Sequence, residues 1–172
     1  MVDLLRLLRL RARSRGRLRA ARDVRIADGV RVTVAPGARV ILGPGASLGP
    51  GSRIDAFGGT VRLGAGTRLG ERAVVISHTG VDLGPSAVVG DWAAVEDGGP
   101  TWADVERPVR QQPLRLTPIT IGAGAVLGPH AVVGPGAAVA AGTVVEPYAV
   151  LPPPPAAPPK VRAAATPPTR RS

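Results

Sequence analysis

The sequence predicts an all-β solenoid, a column of short strands turned at regular corners around a thin aliphatic core. Three observations carry this: a six-residue period of branched apolar residues, a glycine that usually follows each one, and a near-absence of rings to bury. The apolar positions are Leu42, Leu48 and Ile54; Leu63, Leu69 and Val75; Leu83, Val89 and Val95; then Ile121, Leu127, Val133, Val139 and Val145. Glycine comes next at Gly43, Gly49, Gly64, Gly70, Gly84, Gly90, Gly122, Gly128 and Gly134. A small residue stands four places on, as at Ala46, Ser52, Thr67, Ala73, Ala87, Ala93, Ala125, Ala131, Ala137 and Thr143. Neither the 3.6-residue helical period nor plain strand alternation produces a strict six. Short strands bent at Gly-rich corners do, with one branched and one small side chain pointing inward on each side.

Composition agrees. Of 172 residues 44% are hydrophobic, yet Phe57, Trp92, Trp102 and Tyr148 are the whole aromatic complement. The 23 Gly and 19 Pro would indicate disorder in an aperiodic chain; here nine of the glycines directly follow a branched residue on the period and others fall in the corner triplets. With no cysteine, a disulfide scaffold, a zinc finger and a thiol nucleophile are excluded, and two histidines are too few for a His-rich metal site.

Written as Leu/Ile/Val-Gly-x-x-small-x, residues 24–150 resemble the hexapeptide-repeat acyltransferases. The resemblance implies a left-handed parallel β-helix with three hexads per coil, assembled as a homotrimer. On three hexads per coil, Val34, Ile54, Val75 and Val95 fall on the third side. The steps that depart from six all begin there: Val34 to Leu42, Ile54 to Leu63, Val75 to Leu83 and Val95 to Ile121, insertions of 2, 3, 2 and 20 residues. Insertions gathered on one edge mark a functional edge, because a rigid scaffold presents its working groups on loops.

The formal charge of +10 belongs to the ends. Residues 1–23 carry +6 and residues 151–172 carry +4, while residues 24–150 are neutral. That neutral body argues against a nucleic-acid partner. Residues 1–23 read as a basic amphipathic helix, either a cap over the open end of the solenoid or a helix lying on an anionic membrane surface. No apolar run suffices for a signal-peptide core or a membrane span, so the expected location is cytoplasmic, with peripheral contact at the inner face of the membrane as the alternative. Residues 151–172, opening Leu151-Pro152-Pro153-Pro154-Pro155, read as a Pro-rich disordered tail.

The long insertion, residues 96–118, resembles the loop of the galactoside/maltose O-acetyltransferase branch. Asp97, Trp102, Asp104, Pro108, Val109, Gln112, Pro118 and Ile121-Gly122 match that branch in order and spacing. The resemblance implies acetyl-CoA, or another acyl-CoA, as co-substrate with no metal, and a sugar or glycan hydroxyl as acceptor. Trp102 reads as a lid or stacking surface for the acceptor or as a plug between adjacent subunits. Asp104 and Gln112 read as hydrogen-bond partners of the acceptor or as residues that hold the loop. The resemblance places acyl-CoA against the backbone of Gly128, Pro129, Ala141 and Gly142, in a groove between two subunits. The branch uses the first loop histidine as general base; here that position is Gly98, and the second is Pro100. His78 stands three residues after Val75 as Gly98 stands three after Val95, which puts the two in register one strand spacing apart. The expectation is therefore a relocated base, His78, oriented by Asp97 or Glu96, against the alternative of a structural or acceptor-binding histidine. The competing reading is a catalytically inactive homologue serving as scaffold or partner subunit. His130, fourth in its hexad, is expected at an outward surface corner, and outward-pointing Trp92 at a subunit contact.

Overall fold

The structure is a computed structural model that describes residues 2–100, 111 and 113–151. It is an all-β parallel solenoid of six coils with one N-terminal helix. Each coil contributes a strand to each of three parallel sheets. The first sheet stacks β1 (Leu18–Ala20), β4 (Arg39–Leu42), β7 (Thr60–Leu63), β10 (Gly80–Leu83), β15 (Ile119–Ile121) and β18 (Ala138–Val139). The second stacks β2 (Arg25–Ile26), β5 (Ser47–Leu48), β8 (Arg68–Leu69), β11 (Val88–Val89), β16 (Val126–Leu127) and β19 (Val144–Val145). The third stacks β3 (Arg31–Val34), β6 (Arg53–Ala56), β9 (Val74–Ser77), β12 (Ala94–Glu96), β17 (Val132–Val133) and β20 (Val150–Leu151).

The two inward positions of each hexad form the core. Leu63, Leu69, Val75, Leu83, Val89 and Val95 are buried, as are Ala46, Thr67, Ala73, Ala87, Ala93, Ala125 and Ala131 between them. The glycine after each branched residue answers to the tightness of the stack: a Cβ on Gly84 would lie 2.6 Å from the backbone nitrogen of Ala123 in the next coil.

Register confirms one edge for the insertions and corrects one assignment. Ile54 pairs with Val75, and Val75 with Val95, but the partner of Ile54 in the first coil is Val32; Val34 pairs with Ala56. The step to Leu42 is therefore ten residues, and the insertion there is four. From the fifth coil to the sixth, Val133 to Val139, the chain passes this edge with no insertion at all.

The corner between the second and third sheets is built differently. Arg72, Trp92, His130 and Tyr148 occupy it in successive coils, each with positive φ (51°, 60°, 58° and 62°). Side chains rarely accept that backbone, at about 1 kcal/mol or more per residue. Stacking offsets it: the Arg72 guanidinium lies 4.6 Å over the Trp92 ring, Trp92 and His130 are near-parallel at 6.1 Å, and His130 and Tyr148 at 4.8 Å.

At the other end of the chain, α1 (Val2–Arg13) closes the open first coil with Leu7 and Leu10, both buried. Ser14 ends the helix, its hydroxyl donating to the Leu10 carbonyl at 2.8 Å.

Candidate active site

The site grows from the way the third sheet ends. Ala56, Ser77 and Asp97 stand two residues beyond the inward residues Ile54, Val75 and Val95, in successive coils, and all three are buried. The residue after each, Phe57, His78 and Gly98, turns onto the edge between the third and first sheets. From here the long loop departs. Its base is an antiparallel ladder of β13 (Gly98–Pro100) and β14 (Leu114–Leu116), in which Gly98 pairs with Leu116. Thr117 N–H donates to the Asp97 carbonyl at 3.0 Å and Gly136 N–H to the Thr117 carbonyl at 3.0 Å, so the loop base is tied to both neighbouring coils.

Asp97 organises this edge. Its side chain is fully buried, and it accepts five hydrogen bonds from the coil below. Oδ1 takes the His78 N–H at 2.6 Å. Oδ2 takes the N–H groups of Thr79 and Gly80 at 2.8 and 2.7 Å and the hydroxyls of Thr79 and Ser77 at 2.9 and 3.0 Å. Burial alone would raise the pKa of this carboxyl; the backbone N–H donors of Gly80, His78 and Thr79, with the Thr79 hydroxyl, outweigh it and hold the group below the usual carboxylate value. Asp97 is an anion that clamps the turn 77–80.

His78 projects from that clamped turn. Its Nδ1 lies 3.4 Å from Asp97 Oδ1, roughly 0.5 Å longer than an ordinary hydrogen bond. That nitrogen is buried and has no hydrogen-bond partner among the described residues. The side chain as a whole is 28% exposed, so the open part of the ring is the part away from Nδ1. A carboxylate beside Nδ1 favours the proton on that nitrogen and leaves the lone pair on Nε2. On one side the imidazole meets Phe57, ring centroids 5.4 Å apart. On the other it covers Gly98: a Cβ there would stand 2.7 Å from Nδ1, 3.1 Å from Cε1 and 3.1 Å from Leu116 Cδ2. Glycine at 98 and imidazole at 78 are thus one arrangement, since the ring fills the room that a side chain at 98 would need.

The residues read as a site from the sequence divide as follows. His78 and Asp97 are brought together. Glu96 is exposed on the outer face of β12, facing away from the buried side chain of Asp97. Trp102, Asp104 and Gln112 lie outside the described residues. The four residues read as binding acyl-CoA fall on two corners of the chain: Gly128 and Pro129 stand between the second and third sheets, Ala141 and Gly142 between the first and second. Their backbone groups also serve the solenoid. Gly128 N–H donates to Val145, Gly142 N–H donates to Ala123, and the Pro129 carbonyl accepts from Tyr148. His130 is exposed at its corner, within the aromatic stack.

Two features were missed from the sequence. Phe57 follows Ile54 by the same three places as His78 follows Val75, a signal that was there to be read. The other is a groove of about 440 Å³ on the outer face of the first sheet, beginning at Thr79 and Gly80 and lined by Arg39, Thr60, Arg62 and Thr120. Arg62 is 3.9 Å from Asp82, with both side chains exposed. A larger groove, about 630 Å³, lies along the second sheet and includes Arg25 and Arg68, but that face is opposite the His78 edge. Among the described residues no three His, Asp or Glu side chains converge to hold a metal ion.

No family model and no curated protein matches the chain. Solved structures do resemble it. AntD, an N-acyltransferase from Bacillus cereus, in complex with dTDP and 3-hydroxybutyryl-CoA, is 11% identical, with a TM-score of 0.49 over 79% of this chain and 70% of that one. A variant of AntD bound to dTDP-4-amino-4,6-dideoxyglucose and coenzyme A is 10% identical, with a TM-score of 0.49 over 80% of this chain and 71% of that one. A Bacillus cereus protein assigned as an acetyltransferase is 17% identical, with a TM-score of 0.39 over 77% and 71% of the two chains.

Proposed function

We propose that this chain is a CoA-dependent acyltransferase that transfers an acetyl group to a sugar or glycan hydroxyl, with His78 as general base. The observation that carries the reading is the half-open imidazole of His78, backed by buried anionic Asp97 and lying over Gly98. In this mechanism the acceptor O–H gives its proton to Nε2 as its oxygen attacks the thioester carbon. Asp97, 3.4 Å from Nδ1, stabilises the imidazolium that forms. The C–S bond then breaks, the thiolate leaves, and the imidazolium returns its proton to the sulfur. The first-sheet groove starts at Thr79, one residue from the base, and Arg39 and Arg62 supply cations for the phosphates of an acyl-CoA. It takes the place of the backbone set read from the sequence.

The chain works as a homotrimer in this reading. Trp92, Val132, Val144, Tyr148 and Val150 form an exposed apolar ridge about the corner between the second and third sheets, a surface for a second copy. Mass measurement in solution tests this, and a monomer at micromolar concentration contradicts it.

One observation favours the second reading, an inactive scaffold or partner subunit: the five hydrogen bonds to Asp97 explain its burial without any reaction. Thiol release separates the two. The chain has no cysteine, so a thiol reagent sees only liberated CoA. Acetyl-CoA with a panel of hydroxyl and amino sugars is expected to give release that falls 10²–10⁴-fold, on the order of a lost general base, in His78→Ala. No release with any acceptor, or equal release in the variant, rejects the enzymatic reading.

A further inference from the structure

Helix α1 is apolar on two opposite sides, and the solenoid uses one of them. Leu7, Leu10 and Ser14 face inward and are buried. At about 100° per residue the outward side carries Leu5, Leu8 and Ala12, with Arg9 and Arg13 beside them. Leu5 is 56% and Leu8 50% exposed. The helix is fixed in this pose: Arg6 bonds the Ile26 carbonyl at 2.9 Å and pairs with Asp28, and Arg11 bonds the Ala20 carbonyl. Those leucines therefore stay on the outside.

The charge around them is one-sided. Residues 1–42 hold eleven Arg against Asp3, Asp23 and Asp28, whereas residues 43–151 hold seven Arg against nine acidic residues. Arg15, Arg19, Arg22, Arg25 and Arg31 are exposed in the first coil or the turn that leads to it. An end with this surplus repels a second copy of itself. Its partner must be anionic, and the exposed leucines require that the partner also accept apolar side chains. A phosphate backbone does not; a phospholipid surface does.

We propose that the capped end docks flat on an anionic phospholipid surface, with Leu5 and Leu8 entering the headgroup–acyl boundary and the surrounding arginines binding lipid phosphates. The contact is peripheral, since no described helix is long and apolar enough to span a bilayer. It does not depend on the acyl-transfer reading.

Sedimentation of the full chain with vesicles tests it. At about 0.1 M salt, where the Debye length is about 10 Å, the chain is expected to co-sediment with phosphatidylglycerol/phosphatidylcholine vesicles and not with phosphatidylcholine alone. Leu5→Ser/Leu8→Ser is expected to weaken binding roughly tenfold with an unchanged melting curve, because both side chains face outward. Arg9→Glu/Arg13→Glu should weaken it at least as much. Failure of the wild-type chain to prefer anionic vesicles overturns the proposal whatever the variants do. So does duplex DNA that competes fully while the leucine variant binds vesicles as well as wild type, since the patch would then be a general polyanion site.

Discussion

Replacing Asp97 with Asn changes one atom and strikes the anion at the centre of the edge. The carboxylate accepts one hydrogen bond on Oδ1 and four on Oδ2. An amide keeps a single acceptor. With that oxygen in the Oδ2 position, the new NH₂ faces the His78 N–H, donor against donor. One charge-assisted bond, about 1.5–3 kcal/mol, is lost, and the other four fall from charge-assisted to neutral strength, about 1 kcal/mol each. Relief of the buried charge offsets part of this, so the net destabilisation comes to roughly 3 kcal/mol, on the scale of breaking other buried charged networks. In a chain of this size that is a fall in Tm of about 6–12 °C. The pH dependence follows from the lowered pKa of Asp97. A carboxyl whose folded value lies below its unfolded one stabilises fully above the unfolded pKa, near 3.8, and that contribution is lost as pH falls through the folded value. Wild type should therefore lose stability below pH 3.8 by a step that the variant lacks. Thermal melts followed by circular dichroism at pH 7 and down an acid series measure both quantities. A loss under about 1 kcal/mol at pH 7, or equal acid sensitivity in the two proteins, refutes the clamp.

Further predictions follow from the same geometry. Gly98→Ala places a methyl 2.7 Å from His78 Nδ1, so thiol release should fall more than about tenfold, the cost of displacing an aligned base, while Tm moves little. Moving the imidazole one coil, in His78→Gly/Gly98→His, should recover about tenfold over His78→Ala; no recovery would mean that Asp97 and Phe57 serve the ring only at position 78. Trp92→Ala keeps a positive-φ side chain and removes both the Arg72 contact and the His130 stack. It should cost about 1–2 kcal/mol in urea denaturation.

The period of six was legible because it registers the core directly: a position that faces inward in every coil admits only a branched or small side chain. The register of the first coil was not. In β3 both Val32 and Val34 are apolar two residues apart, and alternation alone cannot choose between them; only the ladder to Ile54 and Ala56 does. At the site, the placement of His78 beside Gly98 followed from counting. The pairing of Asp97 with His78 was read too, but its clamp on the turn 77–80 was not, because its partners there are mostly backbone N–H groups in a turn with no sequence signature. The acyl-CoA set falls on two edges of one chain. Counting three hexads per coil from Ile121 already sets Gly128-Pro129 after the second side and Ala141-Gly142 after the first, a division that the likeness of the two corner sequences hides. The aromatic column shows the same limit: Trp92 reads as a subunit contact, His130 as a surface corner and Tyr148 only as one of four aromatics, until the coils stack them.

A structure of the chain with acetyl-CoA and an acceptor sugar tests the account most directly. It should show the nucleotide along the first-sheet groove at Arg39 and Arg62, the thioester carbon at the edge beside Gly98, and His78 Nε2 about 3 Å from the acceptor oxygen. Acetyl-CoA seated on the second sheet at Arg25 and Arg68, or an imidazole whose Nε2 turns away from the thioester, would contradict it.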